Sequence, residues 1–414
     1  MGGWLVEGQK LLVNGERLRE SLEKFADFGR TENNGVTRLA LTQEDLLARN
    51  YFQDCCVELG MTVKIDDLGN MYALLEGTEN NPPIVMGSHL DSVKKGGRFD
   101  GVLGVAAGLE VVRTIVENKM KPKIPIMVVN FTNEEGARFE PSMMASGVLS
   151  GKFDKNTMMQ KQDIGGITFE QALKTIGYDG DSANRLREAT AFFEMHIEQG
   201  PVLEAESLAI GIVECVVGMV CYEIEVRGES NHAGTTPMTM RKDALFAMNN
   251  LYTEIRERLG VLDEELVFTM GRMNAYPNIH TVIPNKVVFT LEARHKDPSI
   301  IKRVEEIIHD LSDSTELEGC SMTAMKLWDR NTVWFDEELL TNLEHSVQTL
   351  DYSYKVMASG AGHDAQFMAS IWPTAMIFVP SINGQSHCEE ELTLWEDCEK
   401  GVNVLLETVL RMVK

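Results

Sequence analysis

Residues 85–104 read VMGSHLDSVKKGGRFDGVLG. An apolar run, IVMGSHL, predicts a strand that delivers His89 and Asp91 into a loop, and the loop carries Asp100 to a glycine-lined helix start. A histidine and two aspartates within twelve residues have two readings. One is an ordinary solvated loop; the other is half of a metal site.

The flanking sequence repeats the same unit. Apolar residues at helical spacing after Thr42 predict a helix over 43–59 with Thr42 as its N-cap. MTVKI and NMYALLEG read as short strands, 101–119 as a helix and PIMVVNFT as a further strand. Strands that are almost continuously apolar and alternate with helices predict an α/β fold, with a mostly parallel sheet covered by helices. Ligands of such sheets sit beyond the carboxyl ends of the strands. His89, Asp91, Asn133, Glu134 and Glu135 all fall there.

After about residue 212 the pattern changes. VCYEIEVRG alternates like a half-buried strand, 241–259 is amphipathic, ELVFTMGRMNA and NKVVFTLEARH read as strands, 299–312 as a helix and CSMTAMKLW as a last strand. That β-α-β-β-α-β order predicts a ferredoxin-like α+β insert over 213–328. The first domain, 1–212, then resumes over 329–414 with a helix at 336–350, a Gly-rich turn, the strand TAMIFVP and a helix near 395–413.

Composition bounds the function. A formal charge of -24 over 414 residues supplies no basic stripe for nucleic acid or an anionic membrane. No apolar run is long enough to span a bilayer, and the N-terminus shows no basic flank leading into an apolar core. The seven cysteines are scattered without C-x-x-C spacing, which fits a reducing cytoplasm. The 23 methionines are spread over many elements and read as core filling.

Four polar clusters recur at the predicted sheet edge: His89 with Asp91 and Asp100, the Asn133–Gly136 turn, Glu194–Gly200, and Ser386 with His387. Singly each is unremarkable. Together they put adjacent like charges beside apolar strands, a cost that divalent cations would remove. With two cations, His89 and His196 supply imidazoles, Asp100 bridges, and Glu135 with His387 completes the second set. Glu134 stays uncoordinated as a general base. Asp91 faces the same way as His89 and is expected to fix its tautomer as an outer acceptor.

These residues lie in motifs that resemble the hydantoinase/carbamoylase family of the dinuclear-metal aminoacylase and carboxypeptidase-like peptidases. The motifs, in order, are GSHLDS…GGRFDGVLGV, NEEGARF, FFEMHIEQGPVLE, ESNHAGTTPM, PNIHTVIPNKVVFTLEARH, SGAGHDAQ and PSINGQSH. The resemblance implies a catalytic domain with an inserted lid that also forms a homodimer interface. It implies two divalent ions per subunit, zinc by default with manganese, cobalt or nickel possible. It assigns His89, Asp100 and His196 to one ion, Asp100, Glu135 and His387 to the other, and Glu134 as base. His232 would stabilise the oxyanion, Arg294 would bind a substrate carboxylate, and Gln199, Asn278 and Gly360 would contact substrate.

The implied reaction is hydrolysis of an N-carbamoyl (ureido) L-amino acid to the amino acid, ammonia and carbon dioxide. Allantoate, with its own carboxylate and ureido groups, is the nearest alternative substrate. Weaker alternatives are an aminoacylase or dipeptidase, disfavoured by a histidine at position 196, and a non-catalytic metal-binding homologue. His363 is read either as an outer partner of the site or as a helix-start residue, and His280 lies outside the proposed ligand set.

Overall fold

The computed structural model describes residues 10–314 and 317–413. The chain forms two compact units, one made of residues 1–214 with 334–414 and the other of 215–333. The second unit ends five residues beyond the sequence estimate of 328, because its last strand runs on to Arg330.

The first unit holds a nine-stranded sheet among the described residues, ordered β1-β2-β4-β3-β5-β14-β6-β12 with β13 paired to β6. These strands are β1 Thr62–Ile65, β2 Met71–Leu75, β3 Ile84–His89, β4 Ile126–Phe131, β5 Ala191–Ile197, β6 Ile210–Val216, β12 Val333–Trp334, β13 Tyr354–Ser359 and β14 Thr374–Val379. The central strands β4, β3, β5 and β14 are mutually parallel, while β1, β2 and β6 join antiparallel. Every residue of the four parallel strands is buried, as strands covered on both faces require. Helices Val102–Glu117 and Trp395–Met412 pack on this parallel core.

Two local features place the site. Gly101 stands at φ +66° before the helix Val102–Glu117, and a Cβ there would lie 2.3 Å from the His89 ring, so only glycine lets the helix start this close to β3. Thr42 occupies the N-cap of helix Gln43–Glu58, but its hydroxyl makes no capping bond. The Asp45 carboxylate instead accepts the N–H of Leu41 at 2.7 Å and pairs with the buried Arg49 at 2.8 Å.

The second unit contains β7 Gly218–Arg227, β8 Val267–Thr269, β9 Met273–Tyr276, β10 Lys286–His295 and β11 Ser321–Arg330. Its antiparallel sheet runs β11-β7-β10-β8, with β9 also on β10. Helices Ala244–Leu259 and Pro298–Ser314 pack on it. Alternate residues of β7 and β10, among them Tyr222, Ile224, Phe289 and Leu291, form a core separate from that of the first unit. The connection order is the expected ferredoxin-like one. The segment read as a single strand, ELVFTMGRMNA, is two strands interrupted at Met270–Arg272, each pairing with a different part of β10.

Candidate metal centre

The four parallel strands deliver the polar residues to one edge. His89 is the last residue of β3, Glu134 and Glu135 follow β4, His196 lies near the end of β5, and Ser386 and His387 follow β14. Asn133, Gln199 and His387, each in a loop after one of these strands, have φ values of 60°, 58° and 56°. Such left-handed backbone at non-glycine residues is the strain that functional sites tolerate.

Two triads result, each with one ligand atom per residue within 4.8 Å of the others: His89, Asp100 and His196, and Asp100, Glu135 and His387. Asp100 Oδ1 lies 3.6 Å from His89 Nε2 and 3.1 Å from His196 Nε2. Its other oxygen, Oδ2, lies 3.4 Å from His387 Nε2, which is also 3.4 Å from Glu135 Oε2. The two oxygens of one carboxylate thus face two donor sets. Glu134 belongs to neither triad, and its Oε2 stands 3.5 Å from His89 Nε2.

The tautomers follow from the backbone. His89 Nδ1 is 2.9 Å from the carbonyl of Asp91, and His196 Nδ1 is 2.9 Å from the carbonyl of Ile197. A carbonyl only accepts, so both Nδ1 atoms carry hydrogen and both rings turn Nε2 toward carboxylate oxygen, as a lone pair when neutral and as an N–H when protonated. The N–H of Gly101 lies 3.3 Å from His196 Nε2 and donates to it whenever that nitrogen is unprotonated. Lone pairs aimed at anions repel unless a cation or proton lies between them. Glu135 Oε1 and Gln199 Oε1 are, in addition, buried without a hydrogen-bond partner. Imidazole and carboxylate donors with unspent lone pairs fit divalent cations.

The sequence reading gave the Asp91 carboxylate the task of fixing the His89 tautomer. The backbone carbonyl of Asp91 does this instead; the carboxylate is 3.9 Å from Nδ1 and accepts the N–H groups of Glu134 and Glu135 at 3.2 Å each. Asp91 therefore orients the turn that bears both glutamates.

The electrostatics of the site reflect the same crowding. Burial pushes Glu134 well above the usual carboxylate range, and Asp364, Glu135 and Asp100 add to it. Glu135 is raised by burial and by Asp100. Burial takes His89 down to about 4. Burial also opposes charge on His196, yet Asp100 and Glu194 raise that ring to about 9.

Gln199 was expected to contact substrate; its amide nitrogen lies 2.8 Å from Asp100 Oδ2 and 3.2 Å from Ser386 Oγ. Gly360 sits after β13, with open space where a Cβ would be. His232, Asn278 and Arg294 belong to the second unit. There His232 is exposed with its Nδ1 accepting the N–H of Gly234 at 3.0 Å, Asn278 has φ 60°, and Arg294 Nε donates to Glu292 at 2.7 Å.

Several neighbours surround the triads without having been assigned a definite role from sequence. Buried Glu194 accepts Ser88 Oγ at 2.6 Å and the N–H of Ala365 at 2.8 Å. The His363 ring packs edge-on against His196 with centroids 4.5 Å apart. Buried Glu391 accepts the N–H groups of Phe99 and Asp100. The tract Glu389-Glu390-Glu391 gives no hint that its third member is the buried one. All seven cysteines are free, and no described helix is long and apolar enough to cross a membrane.

Known proteins resemble this chain over most of its length. The sequence profile of peptidase family M20/M25/M40 matches residues 85–411. An N-carbamoyl-L-amino-acid amidohydrolase of Rhizobium meliloti is 39% identical over 408 residues, 97% of each chain. The allantoate amidohydrolase of Escherichia coli K12 is 34% identical, covering 94% of this chain and 96% of its own. Among solved structures, a hydantoinase/carbamoylase family amidase from Burkholderia multivorans superposes with a TM-score of 0.92 at 38% identity, covering 97% of this chain and 98% of that one.

Proposed function

The chain belongs to peptidase family M20/M25/M40, and from that premise we propose that it is a metal-dependent amidohydrolase cleaving the linear, non-peptide C–N bond of N-carbamoyl-L-amino acids. The observation that carries the reading is the pair of donor triads meeting on the two oxygens of Asp100, with Glu134 beside them and in neither. His89, Asp100 and His196 would hold one divalent ion, and Asp100, Glu135 and His387 the other. Ions held there would supply Lewis acidity toward the ureido carbonyl and make water acidic near neutral pH. Zinc, manganese, cobalt and nickel all suit the mixed nitrogen and oxygen donors.

Glu134 takes the proton of the attacking water and returns it to the leaving nitrogen. Its burial suits this role, because a carboxylate whose affinity for a proton is raised by burial and by acidic neighbours is a stronger base than one in water. His232 stabilises the oxyanion, and Arg294 with Asn278 anchors the substrate carboxylate. The planar guanidinium favours two parallel bonds to a carboxylate. Gln199 and Gly360 line the substrate. The protein acts as a homodimer in the cytoplasm, with residues 215–333 as lid and dimerisation domain.

Allantoate is the second reading, supported by the 34% identity to the Escherichia coli enzyme over nearly its whole length. Parallel turnover assays on allantoate and a panel of N-carbamoyl-L-amino acids, with protein reconstituted in each metal, decide between them. Faster turnover of allantoate would overturn the first reading, and no turnover of any ureido substrate would overturn both.

A further inference from the structure

One carboxylate at the centre is used by none of these roles. Glu391, four residues after His387, is 3% exposed. Its Oε1 accepts the N–H of Phe99 at 3.0 Å and of Asp100 at 3.1 Å. Its Oε2 lies 3.0 Å from Ser386 Oγ, and that hydroxyl is also 3.1 Å from Asp100 Oδ2. Glu391 and Ser386 thus tie the loop carrying Asp100 to the loop carrying His387, segments nearly 290 positions apart in the chain.

The pocket is shaped for that carboxylate. A Cβ on Gly97 would lie 1.9 Å from both Cδ and Oε1 of Glu391. Any side chain at Gly97 would therefore displace Glu391 from the two N–H groups. The histidines of the other triad need no such brace, since His89 and His196 are oriented by carbonyls next to them in sequence. Among the described residues His387 makes no equivalent bond to a carbonyl, and it stands on a left-handed backbone in a more exposed loop.

We propose that Glu391 is a positioning residue for the second cation site: acting through Ser386 and the N–H groups of Phe99 and Asp100, it sets Asp100 Oδ2 at ligand distance from His387 and Glu135. This rests on the metal-centre reading above. Losing an outer partner of a metal ligand typically weakens metal affinity by about 10–100-fold. The effect here falls on the second ion, while the first stays within a few-fold of wild type.

The test is titration of the chelator-treated full chain with Mn2+, followed by calorimetry and by the spin-coupled signal of a manganese pair in electron paramagnetic resonance. Glu391→Ala and Gly97→Ala should each weaken the second Mn2+ by about 10–100-fold and lose the coupled signal at stoichiometric metal. Glu391→Gln should restore both, because its amide oxygen still accepts the two N–H groups and its amide nitrogen can donate to Ser386. Gly97→Ala moves only the end of a flexible side chain, so it decides the matter if Glu391→Ala fails to fold. Wild-type protein that takes up two ions while Gly97→Ala does so with equal affinity overturns the inference alone, as does parallel weakening of both sites. Wild-type protein that binds fewer than two ions overturns the metal-centre reading and this inference with it.

Discussion

Among the described residues, two regions gather histidine and carboxylate atoms within 4.8 Å of one another, and chemically they are opposites. Around Asp100, the Nδ1 atoms of His89 and His196 donate to backbone carbonyls and leave Nε2, the nitrogen facing carboxylates, to bind a proton or a cation. At Asp263, Glu265 and His295 in the second unit, the N–H of Asp297 donates to His295 Nδ1 at 2.9 Å. The neutral His295 ring therefore keeps its proton on Nε2, the nitrogen that lies 3.3 Å from Asp263 Oδ1. That nitrogen has no lone pair to offer a cation, and its two acidic neighbours are exposed to water. Proximity is common to both regions. The group bonded to the far ring nitrogen separates them.

The sharpest way to break this contrast is to remove metal. Exhaustive chelation should abolish hydrolysis and added divalent cation should restore it, with a binding isotherm that saturates at two ions per chain. A third ion that disappears on His295→Ala would show that the second-unit cluster binds after all. Next in size, Glu134→Gln should lower kcat by about 100- to 10,000-fold while elemental analysis still finds both ions. A wild-type rate from the loaded variant would move the base elsewhere. Smaller again, His196→Ala should weaken the first ion by more than the roughly 100-fold that outer partners reach. His295→Ala should leave ion content unchanged, and equal effects of the two substitutions would erase the distinction.

The sequence made the larger features legible for a physical reason. Continuous apolar runs such as IVMGSH and IMVVNF must be buried on both faces, and the alternation in KVVFTLEARH must be buried on one. Those patterns separate the parallel from the antiparallel sheet before any coordinate is known. The histidines and carboxylates that the structure brings together were equally visible, because such groups are costly beside apolar strands. What stayed hidden was carried by the backbone or by long-range pairing. Every residue has a carbonyl, so nothing in the letters says that the carbonyl of Asp91, and not its carboxylate, fixes the His89 tautomer. Glu391 was invisible within its glutamate tract for a related reason: its partners, Phe99 and Asp100, offer only N–H groups. The strands β6 and β13 also escaped notice; β13 is only partly buried and carries no clean alternation.

The smallest expected effect tests the tautomers most directly. In the metal-free protein the His196 ring, raised to about 9, is protonated at pH 7, whereas His89, lowered to about 4, is neutral. Glu135 is raised as well, by burial and Asp100, and must lose any proton it holds before it can ligate. The raised groups are charged or protonated below their folded-state values, so cations compete with protons there. Loading at pH 7 should therefore release protons, and affinity should rise with pH by about tenfold per unit for each proton displaced, levelling off above about 9. Calorimetric titrations of Mn2+ in buffers of different ionisation enthalpy count the released protons. The His295 cluster should contribute none, since no cation enters it. If loading at pH 7 released no proton, the lone pair on His196 Nε2 would already be free in the metal-free protein, and Asp100 would not be holding a proton on that ring in place of the ion.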